Sequence, residues 1–388
     1  MVSPYSHKQF FRKIPPSQLA SYFASKNVDL GIDFSAFNNK QVDSLFTAFT
    51  GLPDELLKVI EAEFQDIHAM ACDGGIQALI DEAAFPDHKE DDFVEAISDI
   101  DGLHAKVMWV FLEKRYLWQG ASLLLHADNV SSSYWRKRND LPRVPPDVEP
   151  AAIKALANAI SAYFHGKEGR GKNCKVEPYR RHNKEYFFAY PEDFGLSAVE
   201  WVSNALKNRA QHPAFEIIFV YCEAEGSLDI YAPKNTKAVP ELQKLFAKAV
   251  LHLETLPDGT VDKRVYNLDP LAESEFQFQI EPESGIESIE ITQLRLTLKH
   301  GAKKRITLEA ETKHDPSAVY DLLELLKPPP YYITQARVKV TFVPKPGKRA
   351  ITKPFNITYP NSLSLGHDGD DLKIRKILAK SGLELRAL

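Results

Sequence analysis

The period of the apolar residues changes near Gly166, and this change constrains the fold more than any other feature of the chain. From about Pro16 to Phe164, apolar side chains recur every three to four residues, the spacing of amphipathic helices. After Gly166 they are mostly aromatic or β-branched and come in short runs separated by polar turns, as in β-strands. The sequence therefore predicts an α+β protein, with a helical N-terminal domain followed by mixed, mainly antiparallel sheets with packed helices.

The helical half contains several predicted helices. In LPDELLKVIEAEFQDIHAMA the side chains of Leu56, Ile60 and Phe64 share one face, and the pair Gly74-Gly75 is the predicted stop. Further helices are predicted over residues 91–100, 103–126 and 150–164. Four prolines between Arg138 and Pro150 predict a stiff, non-helical connector.

The segment after Gly166 combines predicted hairpins and helices. Aromatic and β-branched runs around Val176 to Phe194 and Phe215 to Pro233 predict two β-hairpins. The stretches SAVEWVSNALKNRA from Ser197 and VPELQKLFAKAVLHLE from Val239 have a helical pattern. Together these elements predict a ββ-α-ββ-α order.

A third block begins near Tyr266. Strands are predicted over residues 274–280, 286–299, 304–310, 333–343 and 350–359, with one helix from Asp315 and a terminal helix in DLKIRKILAKSGLEL. The predicted domains are therefore an acidic helical domain over residues 1–150, an α+β hairpin and helix domain over 151–262, and a β-rich domain over 263–388.

The composition argues against several classes of protein. No apolar run approaches the roughly 18–20 residues that cross a bilayer, and the N-terminal stretch lacks the apolar core of a signal peptide. Cys72, Cys174 and Cys222 form no CxxC pair, which argues against a disulfide framework and a Cys-based zinc site. His68 and Cys72 lie four residues apart, but no second half of a ligand set is present. We therefore expect a cytoplasmic protein with no membrane partner, metal or other cofactor.

Charge is distributed unevenly along the chain. The net charge of −5 does not by itself predict a nucleic-acid partner. Acidic residues dominate from Asp54 to Asp101, including the block DHKEDD at residues 87–92, whereas the segment from Arg136 to Lys184 is basic. The basic segment could contact an external polyanion, or the acidic helices could cover it within the same molecule.

Two stretches of the basic segment are typical of anion or nucleic-acid binding. HGKEGRGKNCKVEPYRR, from His165 to Arg181, joins cations with glycines that allow close approach of a phosphate backbone. Upstream, SYWRKRNDLPR interleaves aromatic and basic groups that can stack on bases and contact phosphates. A P-loop is excluded because the predicted order of strand and helix is reversed and Asn173 follows Lys172. The predicted binding residues are Trp135, Arg136, Lys137, Arg138, Lys167, Arg170, Lys172, Arg180 and Arg181.

The same stretches also have structural interpretations. Gly166 can cap the preceding helix, with lysines favoured near the negative end of its dipole in a solvated loop. The aromatic residues Tyr186 and Phe188 alternate with Phe187 and Tyr190 and can fill the core on the two sides of a strand.

A metal-dependent nuclease is the enzymatic alternative. Such enzymes place an acid on one strand and a second acid and a lysine on the next. Glu216, Asp229 and Lys234 have a compatible order in the second predicted hairpin, although Asp229 and Lys234 are five residues apart rather than the usual two. No GxSxG elbow is present, and no residue is marked as a nucleophilic serine or cysteine.

Several strings of the chain resemble an uncharacterised family of bacterial proteins of similar length. They are SYWRKRNDLP, GRGKNCKVEPYRR, EYFFAYPEDF, PAFEIIFVY, SLDIYAP and YPNSLSL. The resemblance implies a bacterial cytoplasmic protein and attaches no catalytic role to any residue. Families of this kind often accompany mobile-element or antiviral defence genes, which is an association only.

Three functions follow as expectations. The first is a non-enzymatic or accessory protein that contacts nucleic acid or another polyanion through the basic segment. The family resemblance associates such a protein with bacterial defence or mobile-element systems. The second is the metal-dependent nuclease. The third is a protein-interaction scaffold whose acidic surface binds a basic protein partner.

Overall fold

A computed structural model of the chain has the predicted α+β architecture. It describes residues 4–85, 88, 92–202, 205–257, 264–299, 304–344, 347, 349–367 and 369–385. Contacts divide the chain into two compact units. The helical unit comprises residues 1–129, 180–182 and 195–212, and the sheet unit comprises residues 130–179, 183–194 and 213–388. These units do not end at the boundaries expected at residues 150 and 262, and the division into three separately folding domains stays a prediction.

The helical unit contains the helices of the N-terminal part. Their bounds are α1 His7–Lys13, α2 Pro16–Ser25, α3 Val42–Thr50, α4 Asp54–Met70, α5 Asp73–Ala83, α6 Phe93–Ser98, α7 Leu103–Glu113 and α8 Trp118–Asn129. The long helix predicted over residues 103–126 is wrong, because four residues separate the end of α7 from the start of α8. Residues 87 and 89–91 of the acidic DHKEDD block lie outside the described residues.

The predicted stop at Gly74-Gly75 is also wrong. Both glycines lie in the first turn of α5, and the amide nitrogen of Gly75 donates to the Sγ of Cys72 at 3.3 Å. The thiol of Cys72 therefore caps α5, while α4 has already ended at Met70. Because only two residues separate α4 from α5, the apolar pattern of the sequence runs through both helices without an obvious break.

A two-stranded ribbon replaces the helix predicted from Ser197. The strands up to and including this ribbon are β1 Trp135–Arg138, β2 Cys174–Arg181, β3 Lys184–Pro191, β4 Leu196–Val202 and β5 Ala205–Gln211, of which β4 and β5 form the ribbon. β4 and β5 pair antiparallel, with Trp201 opposite Leu206. A helix would need to bury an apolar face, whereas Val199 and Trp201 are 61% and 67% exposed. The predicted ββ-α-ββ-α order is therefore wrong, since three hairpins precede the next helix.

The first sheet of the sheet unit combines the two predicted hairpins with β1. The remaining elements are α9 Pro150–Glu168, β6 Ile217–Cys222, β7 Ser227–Tyr231 and α10 Val239–Val250. The strand order is β1-β7-β6-β3-β2, with antiparallel pairing of β1, β7, β6 and β3. β1 lies inside the part of the chain expected to be helical. α9 continues past Gly166, the predicted cap, and ends at Glu168, where Gly169 caps it with a φ of 76°.

The second sheet has the order β12-β11-β10-β8-β9. Its elements are β8 Ile286–Leu298, β9 Arg305–Glu309, α11 Ala318–Leu326, β10 Tyr331–Phe342, β11 Thr352–Thr358, β12 Ser362–Leu363 and α12 Gly369–Lys380. The strand predicted over residues 274–280 is wrong. The alternating Phe276, Phe278 and Ile280 pack against the core of this sheet without joining a strand ladder.

The two faces of the first sheet differ in chemistry. One face is apolar, because Phe187, Phe219 and Leu228 pack with Phe246 of α10 and Leu156 of α9. Successive residues of a strand point to opposite faces, so the neighbouring positions of β1, β3, β6 and β7 face the other way. Polar residues occupy several of these positions: Lys137, Lys184, Cys222, Ser227 and Asp229. Within the described ranges, no helix is long and apolar enough to cross a membrane.

Candidate functional site

A cavity of about 240 Å³ lies over the polar face of the first sheet. Strand register brings its wall together, because Lys137 is opposite Asp229, Lys184 is opposite Cys222, and Cys222 is opposite Ser227. α12 supplies another part of the wall. The lining residues are Lys137, Asn183, Lys184, Val220, Cys222, Glu225, Ser227, Asp229, Leu372, Arg375, Lys376 and Glu384.

Lys137 is a structural cation of this site. Its Nζ lies 2.6 Å from Oε1 of Glu384 and 3.3 Å from Oε2 of Glu225, and its side chain is 5% exposed. Burial alone would lower the pKa of Lys137, but the charges of Glu384 and Asp229 outweigh burial and raise it. The ammonium is therefore held charged by its carboxylate neighbours.

Asp229 is almost fully buried and accepts a hydrogen bond from His367. The distance from His367 Nε2 to Asp229 Oδ2 is 3.1 Å. Burial would raise the pKa of Asp229, but His367 and Arg375 hold it well below its usual range. Burial and the charge of Arg375 lower the pKa of His367 to about 3, against the opposing effect of Asp229. His367 is therefore neutral near pH 7, with its proton on Nε2.

Arg375 brings a buried positive charge to the cavity. Its Nε donates to the carbonyl oxygen of Gly366 at 2.8 Å, and its Nη2 donates to that of Leu365 at 2.9 Å. Among the residues that the structure describes, no carboxylate lies within 4 Å of its guanidinium and no partner accepts from Nη1. Two carbonyls thus fix the guanidinium plane while its charge has no direct counter-ion.

Lys184 is the other cation without a direct partner. It is half-buried at the start of β3, and no hydrogen bond or ion pair to its Nζ occurs in the described part of the chain. Burial and the positive charge of Arg375 lower the pKa of Lys184 to about 8, although Glu225 and Asp229 oppose this effect. The other lysine contributed by α12, Lys376, is paired with Glu281 at 2.9 Å.

The carboxylates of the cavity, by contrast, all have partners. Asp229 accepts from His367, Glu384 accepts from Lys137, and Glu225 accepts from both Lys137 and the Oγ of Ser227. The cavity therefore combines carboxylates that already accept hydrogen bonds with two cations, Lys184 and Arg375, that have N–H groups without an acceptor among the described residues. Such an arrangement can receive an anion.

Near the charged groups of the site, the hydroxyl of Tyr266 is fully buried and makes no hydrogen bond to the described residues. Burial raises the pKa of Tyr266 well above its ordinary value, so the hydroxyl is a neutral donor. Burial likewise raises the pKa of Cys222, which leaves its thiol protonated and weakly nucleophilic.

The residues predicted to bind nucleic acid are not gathered on one exposed surface. Trp135 is 2% exposed and packs against Tyr231 and His367. Arg136 donates to backbone carbonyls and to Ser362, and Arg138 donates to Asp140 and to the carbonyl of Pro257. Lys137 is buried in the cavity wall described above.

The later members of the predicted set also have different surroundings. Lys167 donates to the hydroxyl of Tyr163, and Arg170 binds Glu168, Asp193 and Asn235 while lying over the ring of Phe215. Arg181 is buried in the helical unit between Asp81 and Asp128. Lys167, Lys172 and Arg180 are exposed.

The predicted nuclease residues do not converge. Asp229 is opposite Val220, four residues along β6 from Glu216, which corresponds to roughly 13 Å at about 3.3 Å per residue. Lys234 is exposed beyond the end of β7. Within the described ranges, no group of three or more His, Cys, Asp or Glu side chains could hold a metal ion. His68, which the sequence analysis considered with Cys72 as a metal ligand, has its Nδ1 3.0 Å from Nε2 of His104.

Sequence reasoning missed most members of the site, including Lys184, His367, Arg375 and Glu384. One signal was present, since the alternation of KEYFFAY puts Lys184 on the same side of β3 as Tyr186 and Phe188, both of which are buried. A lysine that continues a core-facing row is a candidate for a functional group. Arg375 and Glu384 come from the C-terminal part of the chain, about 190 and 200 residues beyond Lys184, and no local pattern connects them.

No protein-family model matches the chain, and no curated protein is similar to it in sequence. The likeness of its strings to an uncharacterised bacterial family therefore stays an expectation, and the argument for function depends on the cavity.

Proposed function

We propose that the sheet unit binds a small organic anion in this cavity, with Lys184 and Arg375 contacting the negative group. One observation carries the proposal. Two cationic side chains line the same cavity without a direct counter-ion among the described residues, while each carboxylate that lines it already has a partner.

The energetics favour an anionic occupant. Burial opposes the charge of Arg375, while the nearby charge of Asp229 raises its pKa. An anion in direct contact with this buried guanidinium would stabilise it further. Arginine donates to carboxylate and phosphate groups in a planar, often bidentate arrangement, and the carbonyls of Leu365 and Gly366 fix the plane of Arg375. Because Nε and Nη2 already donate to these carbonyls, Nη1 is the nitrogen left to donate to a carboxylate or phosphate group of a ligand.

The size of the cavity limits the ligand. The cavity has a volume of about 240 Å³. Ligand pockets for drug-sized molecules are larger, at about 300–1,000 Å³. We therefore infer a ligand of a few carbon atoms rather than a nucleotide.

Calorimetric titration with oxalate and with inorganic phosphate tests the proposal. The full-length protein is expected to bind at least one of these probes, and Lys184→Met is expected to weaken binding at least tenfold, equivalent to about 1.4 kcal/mol. Lys172→Met is the matched control, because Lys172 is an exposed lysine outside the cavity. Equal binding by wild type and Lys184→Met, or no heat with either probe, would contradict the proposal.

Contact with nucleic acid through the basic segment has less support. Of its nine predicted residues, Trp135, Lys137 and Arg181 are buried, and the cations of the last two are engaged with carboxylates. Lys167, Lys172 and Arg180 are exposed to solvent. This function and the nuclease and scaffold alternatives stay predictions, and a salt-dependent binding assay with labelled DNA and RNA addresses the first.

A further inference from the structure

We propose that Lys184 forms a Schiff base with an aldehyde or keto group of the anionic ligand while Arg375 holds the negative group of that ligand. This inference rests on the proposed anion site and adds a covalent step to it. The substrate class is a small carbonyl acid or a phosphorylated carbonyl compound.

Geometry separates Lys184 from the other lysines of the cavity. The amines of Lys137 and Lys376 are committed to Glu384 and Glu281, at 2.6 Å and 2.9 Å. The amine of Lys184 has no such contact within the described residues, and it faces the same space as Arg375. A nucleophilic lysine needs a free lone pair, and only Lys184 among these three is not held in an ion pair.

Electrostatics make the free amine available near neutral pH. Burial and Arg375 lower the pKa of Lys184 to about 8, compared with about 10.4 for an ordinary lysine. At pH 7 the lower pKa increases the neutral fraction of the Lys184 amine roughly two hundred-fold, to about one tenth of the molecules. Desolvation beside another cation is a general way in which proteins activate lysine for attack on carbonyl groups.

The chemical step balances without an oxidant or reductant. The lone pair of the neutral Nζ attacks the carbonyl carbon, the π electrons of the C=O bond move to oxygen, and a proton passes from nitrogen to that oxygen. The resulting carbinolamine then loses its hydroxyl and the second nitrogen proton as one water molecule, which leaves a C=N bond. Glu225, an ionised carboxylate in the same cavity wall whose pKa Lys137 and Lys184 lower against the effect of burial, can hold the proton in transit.

Reductive trapping with glyoxylate tests the inference. The full-length protein is incubated with glyoxylate and cyanoborohydride, and peptide mass mapping locates the carboxymethyl adduct. We expect the adduct at Lys184 to form at least tenfold faster than at the exposed Lys172. The rate should rise as the pH passes about 8, and excess oxalate should suppress it.

Lys184→Arg separates the covalent step from anion binding. Arginine keeps the positive charge but does not form the imine, so this variant should bind oxalate and lose the adduct at position 184. Oxalate binding by the wild type without faster labelling of Lys184 than of Lys172 would overturn the Schiff base alone. If the wild type neither binds oxalate nor is labelled selectively at Lys184, the anion site is overturned and, with it, this inference.

Discussion

His367 donates its Nε2 proton to Oδ2 of Asp229 across 3.1 Å, inside a site where both side chains are almost fully buried. The imidazole stays neutral because burial and the charge of Arg375 oppose a second proton. An ionised carboxylate, a neutral imidazole and a guanidinium thus share one buried region, and each depends on the protonation state of the others.

This relationship predicts an acid-sensitive fold. The pKa of His367 is about 3 in the folded protein, below its ordinary value near 6.5, so only the unfolded chain takes up this proton as the pH falls below about 6.5. Stability is therefore lost from about pH 6.5 down to about pH 3. The free energy of unfolding should fall by about 2 kcal/mol between pH 7 and pH 5 through this group. Denaturant titrations at several pH values measure it.

The variant His367→Gln supplies the control for the pH dependence. Glutamine keeps an N–H donor for Asp229 but does not titrate, so its stability should change less between pH 7 and pH 5 than that of the wild type. The lowered pKa of Asp229 acts only below about pH 4 and does not enter this window. Identical slopes for the two proteins would show that His367 is not the titrating group.

The two lysines on the polar face of the first sheet should differ in their effect on stability. Lys137→Met removes the partner of the buried Glu384, and breaking a buried ion pair costs roughly 3–5 kcal/mol. Lys184→Met removes a cation with no direct partner among the described residues, so the free energy of unfolding should change by less than about 0.5 kcal/mol or increase. Chemical denaturation at pH 7 gives both values. Comparable losses in the two variants would mean that Lys184 has a structural partner.

Arg181 is predicted to stabilise the helical unit. Its Nε and Nη1 each lie 2.7 Å from a carboxylate, of Asp81 and Asp128 respectively, and its side chain is 1% exposed. Arg181→Met should lower the free energy of unfolding by roughly 3–5 kcal/mol, because it leaves the buried Asp81 without its main counter-charge. Lys172→Met, at an exposed position, should change it by less than about 0.5 kcal/mol. Thermal denaturation of the three proteins compares them, and a wild-type-like Arg181→Met would argue against this role.

The fold class could be predicted from the sequence because apolar periodicity follows directly from helix and strand geometry. The helix α4 and the hairpins formed by β2 with β3 and by β6 with β7 were predicted for this reason. The ribbon of β4 and β5 was mistaken for a helix. Its apolar residues, including Trp201 and Leu206, are exposed. Because neither face of the ribbon is buried, its sequence does not show the two-residue alternation that is typical of a strand with one buried face.

The candidate site could be predicted only in part. Lys137 and Asp229 were both singled out, but for different functions, because nothing in the local sequence shows that they face each other on β1 and β7. Arg181 and Lys137 were interpreted as surface cations, since composition alone does not distinguish a solvated charge from a buried pair. Their carboxylate partners lie 100 and 247 residues away in the chain.

Gly226 is predicted to hold the cavity wall in place, since it lies between Glu225 and Ser227. Its φ is 60°, and a Cβ at this position would lie 2.2 Å from the backbone oxygen of Leu141. The amide of Leu141 also donates to the carbonyl of Gly226 at 3.0 Å, so neither backbone can move away freely. Gly226→Ala should therefore destabilise the protein and weaken oxalate binding.

Gly285→Ala is the matched control for this substitution. Gly285 has a similar φ of 71°, but a Cβ there would meet nothing within 4 Å. Both alanines pay the left-handed strain of roughly 1–2 kcal/mol, whereas only Gly226→Ala adds a backbone clash. We expect the loss in stability to be at least about 2 kcal/mol larger for Gly226→Ala, and oxalate binding to be unchanged in Gly285→Ala. Denaturation and calorimetry of both variants measure these differences, and equal losses would show that the contact with Leu141 relaxes at little cost.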